Sequence, residues 1–274
     1  MTDPERKVIT PAAGSLVTYL KDTWKYRSLV ATFARRDLKV KYAQTWLGLG
    51  WTLVQPVVAL LLFTFFFGYI LDWKTGELPY ALYVYSGLLG WNLFSYIVLQ
   101  GTGSLQESSH IIKKVYFPRL ILPLGKVLVG LADMLVSFSL LVGLMIWYGQ
   151  PPSWKIIFLP AVIAANILCA LTLVSWISAM AYRIRDLFHL VPFVMYFGIW
   201  ITPVFFTRTV LPENLRFVWA LNPMTGIVEA WRWCLFGEWQ FNPDYLFSLL
   251  AVILLCISGV WAYSRNESSF SDFV

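Results

Sequence analysis

The sequence predicts an all-α, polytopic membrane protein, and three observations predict it. Of its 274 residues, 58% are hydrophobic and only 13% are charged, about half the charged share of an ordinary soluble domain. No Asp, Glu, Lys or Arg interrupts 42–71, 78–106, 134–154, 156–182, 187–207 or 245–264. A helix needs roughly 20 apolar residues to cross the hydrocarbon core, because each residue advances it by about 1.5 Å. The third observation is where the cations fall, which is between the apolar runs rather than on one basic face. The net charge of +6 therefore reads as membrane topology, and no nucleic-acid partner is expected.

The chain is read as one transmembrane domain, 1–274. Residues 14–34 open it, with Leu16, Leu20 and Trp24 at four-residue spacing among Lys21, Lys25 and Arg27. Such a segment can lie in the headgroup layer, against membrane lipids, with its apolar side down; a plain solvated helix is the alternative. The first apolar run begins only after about 40 residues, too late for a cleavable signal, so no leader is expected. Six spans follow, at about 49–71, 80–101, 123–148, 157–181, 188–206 and 245–264. With both termini in the cytoplasm, 16 of the 21 Lys and Arg lie inside. The five outside are Lys74, Lys155, Arg208, Arg216 and Arg232, as the positive-inside rule requires.

Between spans 2 and 3, "SLQESSHIIKKVYFPRLILP" is too charged for lipid, yet Ile111, Ile112, Val115 and Phe117 give it an apolar side. It fits either a short helix docking a soluble partner or a loop resting on the membrane. After span 5, residues 207–243 form a long external connection. Leu215, Val218 and Trp219 share one helical face of "LPENLRFVWALNP". Asn222 is then an N-cap with Pro223 at the first helical position, and Ile227, Trp231 and Cys234 or Leu235 follow along one side up to Gly237. Both segments are too short to cross, which predicts a pair of re-entrant helices.

Catalytic chemistry is absent from the pattern. There is no "GxxxxGK[ST]" loop, and "GLG" at 48–50 and "GTG" at 101–103 follow no strand, so neither is a nucleotide fingerprint. His110 and His189 stand alone, and Cys169, Cys234 and Cys256 lack metal or redox spacing, so no metal site is expected and the cysteines read as packing residues. Lys126 can snorkel to the headgroups. Asp133, about ten residues into span 3, pairs across helices or faces a wet cavity. The aromatic residues, 18% of the chain, are read mostly as interfacial anchors. Trp51, Gln55, Val58, Leu62, Phe66 and Tyr69 nonetheless share a stripe of span 1, and span 5 adds Phe193, Tyr196, Phe197 and Trp200. These fit either bundle packing or a channel wall on which sugar rings stack.

Four ordered motifs resemble the membrane (permease) subunit of type II ABC exporters, in the polysaccharide branch that moves O-antigen, capsule or teichoic acid. "RDLKVKYAQTWLGLGWTLVQP" places Arg36, Asp37, Lys41, Tyr42, Leu47, Gly48, Trp51 and Pro56 as that family does, with Thr45 where serine is common. "RDLFHLVPFVMYFGIWITPVFF" supplies Arg185, Asp186, Thr202, Pro203 and Val204. "NPMTGIVEAWRWCLFG" is similar to the family's Asn-Pro helix, and Glu267, Phe270 and Asp272 to its tail.

The resemblance implies a homodimeric pore in the bacterial inner membrane that carries a lipid-linked polysaccharide. Two separate ATP-binding subunits would hold ATP and Mg, and this chain would be a transport subunit, not an enzyme, with no cofactor of its own. It implies a substrate-entrance gate at Tyr42, Trp46, Leu47, Gly48 and Trp51. Gln55, Phe66, Tyr69, Phe193, Tyr196, Phe197 and Trp200 are then the channel-lining candidates. ATPase coupling would fall to segment 105–119, with Glu107, His110, Lys113, Lys114 and Arg119. An external gate would use Trp219, Asn222, Pro223, Glu229, Trp231 and Arg232. The alternatives are an exporter of a smaller lipid or drug, which often carries an external domain that 72–79 leaves no room for, and a membrane-embedded transferase, for which paired carboxylates are missing. A secondary carrier would show repeated halves, and none are visible.

Overall fold

A computed structural model describes residues 16–43, 45–73, 75–76, 78–115, 117–181, 184, 186–207, 221–237, 248, 250, 253–254 and 257–259. Every regular element among them is helical. Helix α1 is Leu16–Lys25 and α2 is Arg27–Tyr42. The interval 14–34 thus holds parts of two helices, broken at Tyr26. Helix α3, Trp51–Phe63, carries Pro56 and continues as π-helical turns over Thr64–Ile70. Next come α4 Tyr80–Glu107, the short α5 Ser109–Ile112 and α6 Ile121–Tyr148. A 3₁₀ turn at Trp154–Phe158 leads into α7 Leu159–Ala181, followed by α8 Leu187–Ile201 and α9 Pro223–Phe236.

Four of these stretches are long and apolar enough to cross a membrane: Trp51–Ile70, Tyr80–Glu107, Ile121–Tyr148 and Trp154–Ala181. The fifth expected span is shorter than predicted, because the helix stops at Ile201 and Thr202–Phe206 turn back into the bundle. At 15 residues, α8 covers only about 22 Å. Most of 245–264 lies outside the described residues; those that are described are helical, and Ser258 lies against α7, where Trp176 Nε1 donates to its hydroxyl at 3.4 Å.

Helix α4 is the hub, packed on α6, α7, α8, α9 and α3 and buried along most of its length. Its helix-facing positions are small where neighbours come close. A Cβ at Gly87 would lie 2.8 Å from Arg232 Nη2 and 3.2 Å from the Val204 backbone, so only glycine lets α9 and the turn after α8 approach this face.

The helix ends sort into two poles. At one, Tyr80 and Tyr83 hydroxyls donate to the carbonyls of Phe205 and Phe206 at 2.8 and 2.9 Å. Lys155 Nζ donates to Gly237 O at 3.0 Å, a cation on the carbonyl end of α9. The opposite pole is a second apolar cluster of Phe33, Leu105, Phe117, Leu120, Ile121 and Leu122, flanked by Tyr19, Tyr26, Ile111 and Ile112. Ile111, Ile112 and Phe117, expected to offer a sticky surface, are spent on this cluster, and only Val115 stays exposed. The alternation of the two poles along the chain is that of antiparallel spans.

Replacing Gly87 with Ala is expected to lower the stability of the folded chain by about 1–3 kcal/mol, as overpacking does. Arg232 is held by several bonds and Val204 offers backbone, so neither can yield. A thermal melt of the detergent-solubilised protein, read by size exclusion, checks this; an unchanged melting temperature would refute the close approach.

Candidate functional site

Helix α2 is the element that builds the site. It runs beside the first half of α6 in the same direction, since Phe33 lies by Gly125, Asp37 pairs with Lys126, and Lys41 pairs with Asp133. Its last turn therefore delivers Lys41 and Tyr42 to the middle of α6. Asp133 accepts from both the Lys41 ammonium and the Tyr42 hydroxyl. The Tyr42 oxygen also lies 2.9 Å from Thr52 Oγ1 on α3. Burial, and then the bond to Asp133, push the Tyr42 phenol up to about 12, so it remains a protonated donor at any physiological pH.

This cluster lines a cavity of about 570 Å³ between α3, α4, α6 and the end of α2, touched from α8 by Ile199. The volume is that of an ordinary ligand pocket. Its lining mixes aromatic faces, Tyr42, Trp51 and Tyr96, with Thr52, Gln55, Asn92, Ser95 and Ser137. Lys41 and Asp133 are its charged members and balance each other. Pro56 on the same wall has no N–H to give the Thr52 carbonyl. Chemically, such a lining can stack an apolar ring face and bond hydroxyl groups without holding net charge.

Of the predicted entrance residues, Tyr42, Gly48 and Trp51 reach this cavity, and so does Gln55. Trp46 does not: it is 96% exposed, and Leu47 beside it is also exposed. Gly48 has φ +50° and nothing within 4 Å of where a Cβ would stand. The glycine answers a left-handed backbone, not a close approach. Phe66, Tyr69, Phe193, Tyr196, Phe197 and Trp200 stand outside the cavity and exposed. Phe193 and Tyr196 each sit against Phe197, with centroids at 4.6 and 5.2 Å. Trp200 joins Phe63 and Phe205.

The cavity residues that sequence reasoning left unassigned are Thr52, Asn92, Ser95, Tyr96 and Ser137. Asn92, Ser95 and Tyr96 carry a visible signal: polar groups at i, i+3 and i+4 on one face of an apolar helix.

In segment 105–119, His110, Lys113 and Lys114 are exposed, whereas Arg119 is buried. Glu107 accepts from Lys126 at 2.7 Å. Lys126 does not snorkel: its side chain is 8% exposed and also pairs with Asp37 at 3.0 Å. Asp37 in turn meets Arg36 at 2.8 Å.

At the other pole, Asn222 caps α9 as expected, accepting from Met224 N at 3.0 Å, with Pro223 behind it and Gly237 closing the helix at φ +77°. Trp231 is fully buried against Gly90. Arg232, read from sequence as an external cation, is buried too. It donates to Glu229 at 2.9 Å, Val204 O at 3.0 Å and Tyr83 O at 3.3 Å, and lies 3.6 Å over the Tyr83 ring. Trp219 and Arg185 lie outside the described residues. Among the described residues no group of three His, Cys, Asp or Glu could hold a metal ion.

A polytopic helical bundle with this charged N-terminal approach defines a class, and the chain belongs to the ABC-2 type transporter family, which matches residues 28–236. It is a transport subunit rather than an enzyme. It is similar to the O-antigen export system permease protein RfbA of Myxococcus xanthus, 27% identical over 257 residues, 92% of this chain and 98% of that protein. Two Klebsiella pneumoniae proteins of the same name are each 23% identical, over 90% of this chain and 95% of their own length.

Lys41→Met or Asp133→Leu alone is expected to cost about 2 kcal/mol, between the values for surface and buried pairs, because each leaves a charge without its counter-charge. The double variant should recover most of that loss, since replacing both members by apolar groups is nearly neutral. Thermal melts of the four proteins give the cycle, and additive losses would show that the pair does not interact.

Proposed function

We propose that this chain is the permease subunit of an ATP-driven exporter that moves a lipid-linked polysaccharide of the O-antigen type across the bacterial inner membrane. The observation that carries the reading is the cavity beside Tyr42 and Trp51, aromatic and hydroxyl-bonding without net charge, in a chain that belongs to this transporter family. Relatives alike over nine-tenths of the chain are named for O-antigen export.

In this reading six spans, both termini cytoplasmic, build half of a homodimeric pore. The exposed aromatic faces of α3 and α8, with Phe66, Tyr69, Phe193, Tyr196 and Trp200, face the second copy and the polymer. Two ATP-binding subunits, holding ATP and Mg, dock at 105–119, where His110, Lys113 and Lys114 remain available. The polymer's first sugars enter past Tyr42, Gly48 and Trp51, and residues 207–243 gate the far side. Export of a smaller lipid or drug is less well supported, because a wall that bonds hydroxyl groups suits a glycan.

Co-expression with the cognate ATPase is expected to yield a stable complex whose ATP hydrolysis needs both chains; transport by this chain purified alone would refute the reading. Tyr42→Ala and Trp51→Ala should cut surface polymer by roughly tenfold or more while leaving the complex assembled, a tenfold loss corresponding to about 1.4 kcal/mol of contact with the polymer. Surface polymer stained on intact cells, alongside pull-down of the ATPase, measures both; normal polymer would remove these residues from the path.

A further inference from the structure

Lys126 is buried where three elements meet. Its ammonium lies 2.7 Å from Glu107 Oε2 and 3.0 Å from Asp37 Oδ2. Glu107 is the last residue of α4 and lies within the coupling segment 105–119. Asp37 belongs to α2, one helical turn before Lys41, which pairs with Asp133 at the cavity. Tyr42 and the turn containing Gly48 follow at once. We propose that Lys126 is a positioning residue, linking movement of the coupling segment to the cavity entrance through the chain Glu107–Lys126–Asp37 and, along α2, Lys41–Asp133–Tyr42. The proposal rests on the export reading above.

The two halves of the Lys126 bridge differ in exposure, and that difference gives the link a direction. The Glu107 side chain is 51% exposed, while those of Asp37 and Lys126 are 14% and 8% exposed. A pair with one solvated member separates at little cost, because water takes over its hydrogen bonds. A pair desolvated on both sides does not. The Lys126–Asp37 contact is therefore the fixed joint, and Glu107–Lys126 the detachable one. Arg36, 2.8 Å from Asp37, balances the second carboxylate while Glu107 is bound. When segment 105–119 is displaced, Glu107 either drags Lys126 and α2 with it or lets go. Because α2 is one unbroken helix from Arg27 to Tyr42, a shift at Asp37 appears at Tyr42. Apolar contacts such as Phe33 on Phe117, 5.7 Å between centroids, can slide without registering a discrete state; an ion pair is either made or broken.

The test uses the complete complex with its ATPase in proteoliposomes, comparing the parent with Glu107→Gln, Lys126→Met and Lys126→Arg. Polymer exported per ATP hydrolysed is the readout, with the complex's melting temperature as the check on folding. Glu107→Gln and Lys126→Met are expected to lower that ratio by roughly 5–150-fold, the span of a usual coupling between sites. Lys126→Arg, which keeps the bridge, should restore it to near the parent value. Glu107→Gln should melt with the parent, since its side chain is half solvated. Parent-like ratios in both Glu107→Gln and Lys126→Met would overturn the proposal. So would a Lys126→Met complex that exports less only in proportion to its hydrolysis, which marks a structural role. A parent complex that exports without ATP would instead overturn the exporter reading and take this proposal with it.

Discussion

A charge carried into the apolar part of a membrane protein has to meet its counter-charge there, and in this chain that constraint falls on Lys126, Asp133 and Arg232. Each ion costs several kcal/mol to desolvate alone, so each is placed where another helix supplies a partner. Lys126 draws α2 and the end of α4 onto α6. Asp133 draws the last turn of α2 onto the middle of α6. Arg232 ties α9 to the first turns of α4 and the turn after α8. The approach of α2 to the bundle, and hence the cavity wall it completes, combines these contacts with the apolar packing of Phe33 on Ile121 and Leu122.

The two poles solve the same problem differently. At the α9 pole the Arg232 guanidinium, always charged, is satisfied by two carbonyls and one carboxylate, a fixed clamp around a glycine face. At the α2 pole several ammonium and carboxylate groups share a half-wet site in pairs of unequal exposure. The first arrangement suits a rigid support. The second can exchange partners, and it sits between the charged segment 105–119 and the cavity.

Much of the fold was legible because its signals are local. Asn222, Pro223 and Gly237 announced α9 through cap chemistry, which acts within one helical turn. The apolar runs announced the long helices, although α8 stops at Ile201 where the run continues to Thr207. The break follows from Thr202–Phe205 burying against the Tyr80 and Tyr83 turns, a contact more than 120 residues away in sequence. The site was legible in part. Tyr42, Gly48, Trp51 and Gln55 meet at the cavity, whereas the aromatic stripe continuing through Phe66 and Tyr69 leaves it, because those two lie in the wider π-helical turns after α3, where the helical register changes. Lys126 and Arg232 were misread as solvent-seeking cations because the groups that hold them come from other helices: Lys126 pairs with Asp37 on α2, and Arg232 bonds the Tyr83 carbonyl, 149 residues away.

By itself the sequence determined the solvent the chain folds in, the number and order of its apolar runs, the balance of charge across them and the start and end of α9. These follow from hydropathy, charge count and capping, each set by a residue and its near neighbours. Only the tertiary structure decided which polar groups share the interior: that Asp133 receives Lys41 and Tyr42, that Lys126 joins two carboxylates, and that Asn92 and Ser95 line one cavity with Trp51. Such pairings depend on the register and facing of one helix against another. Helices that are apolar all round carry little local record of either.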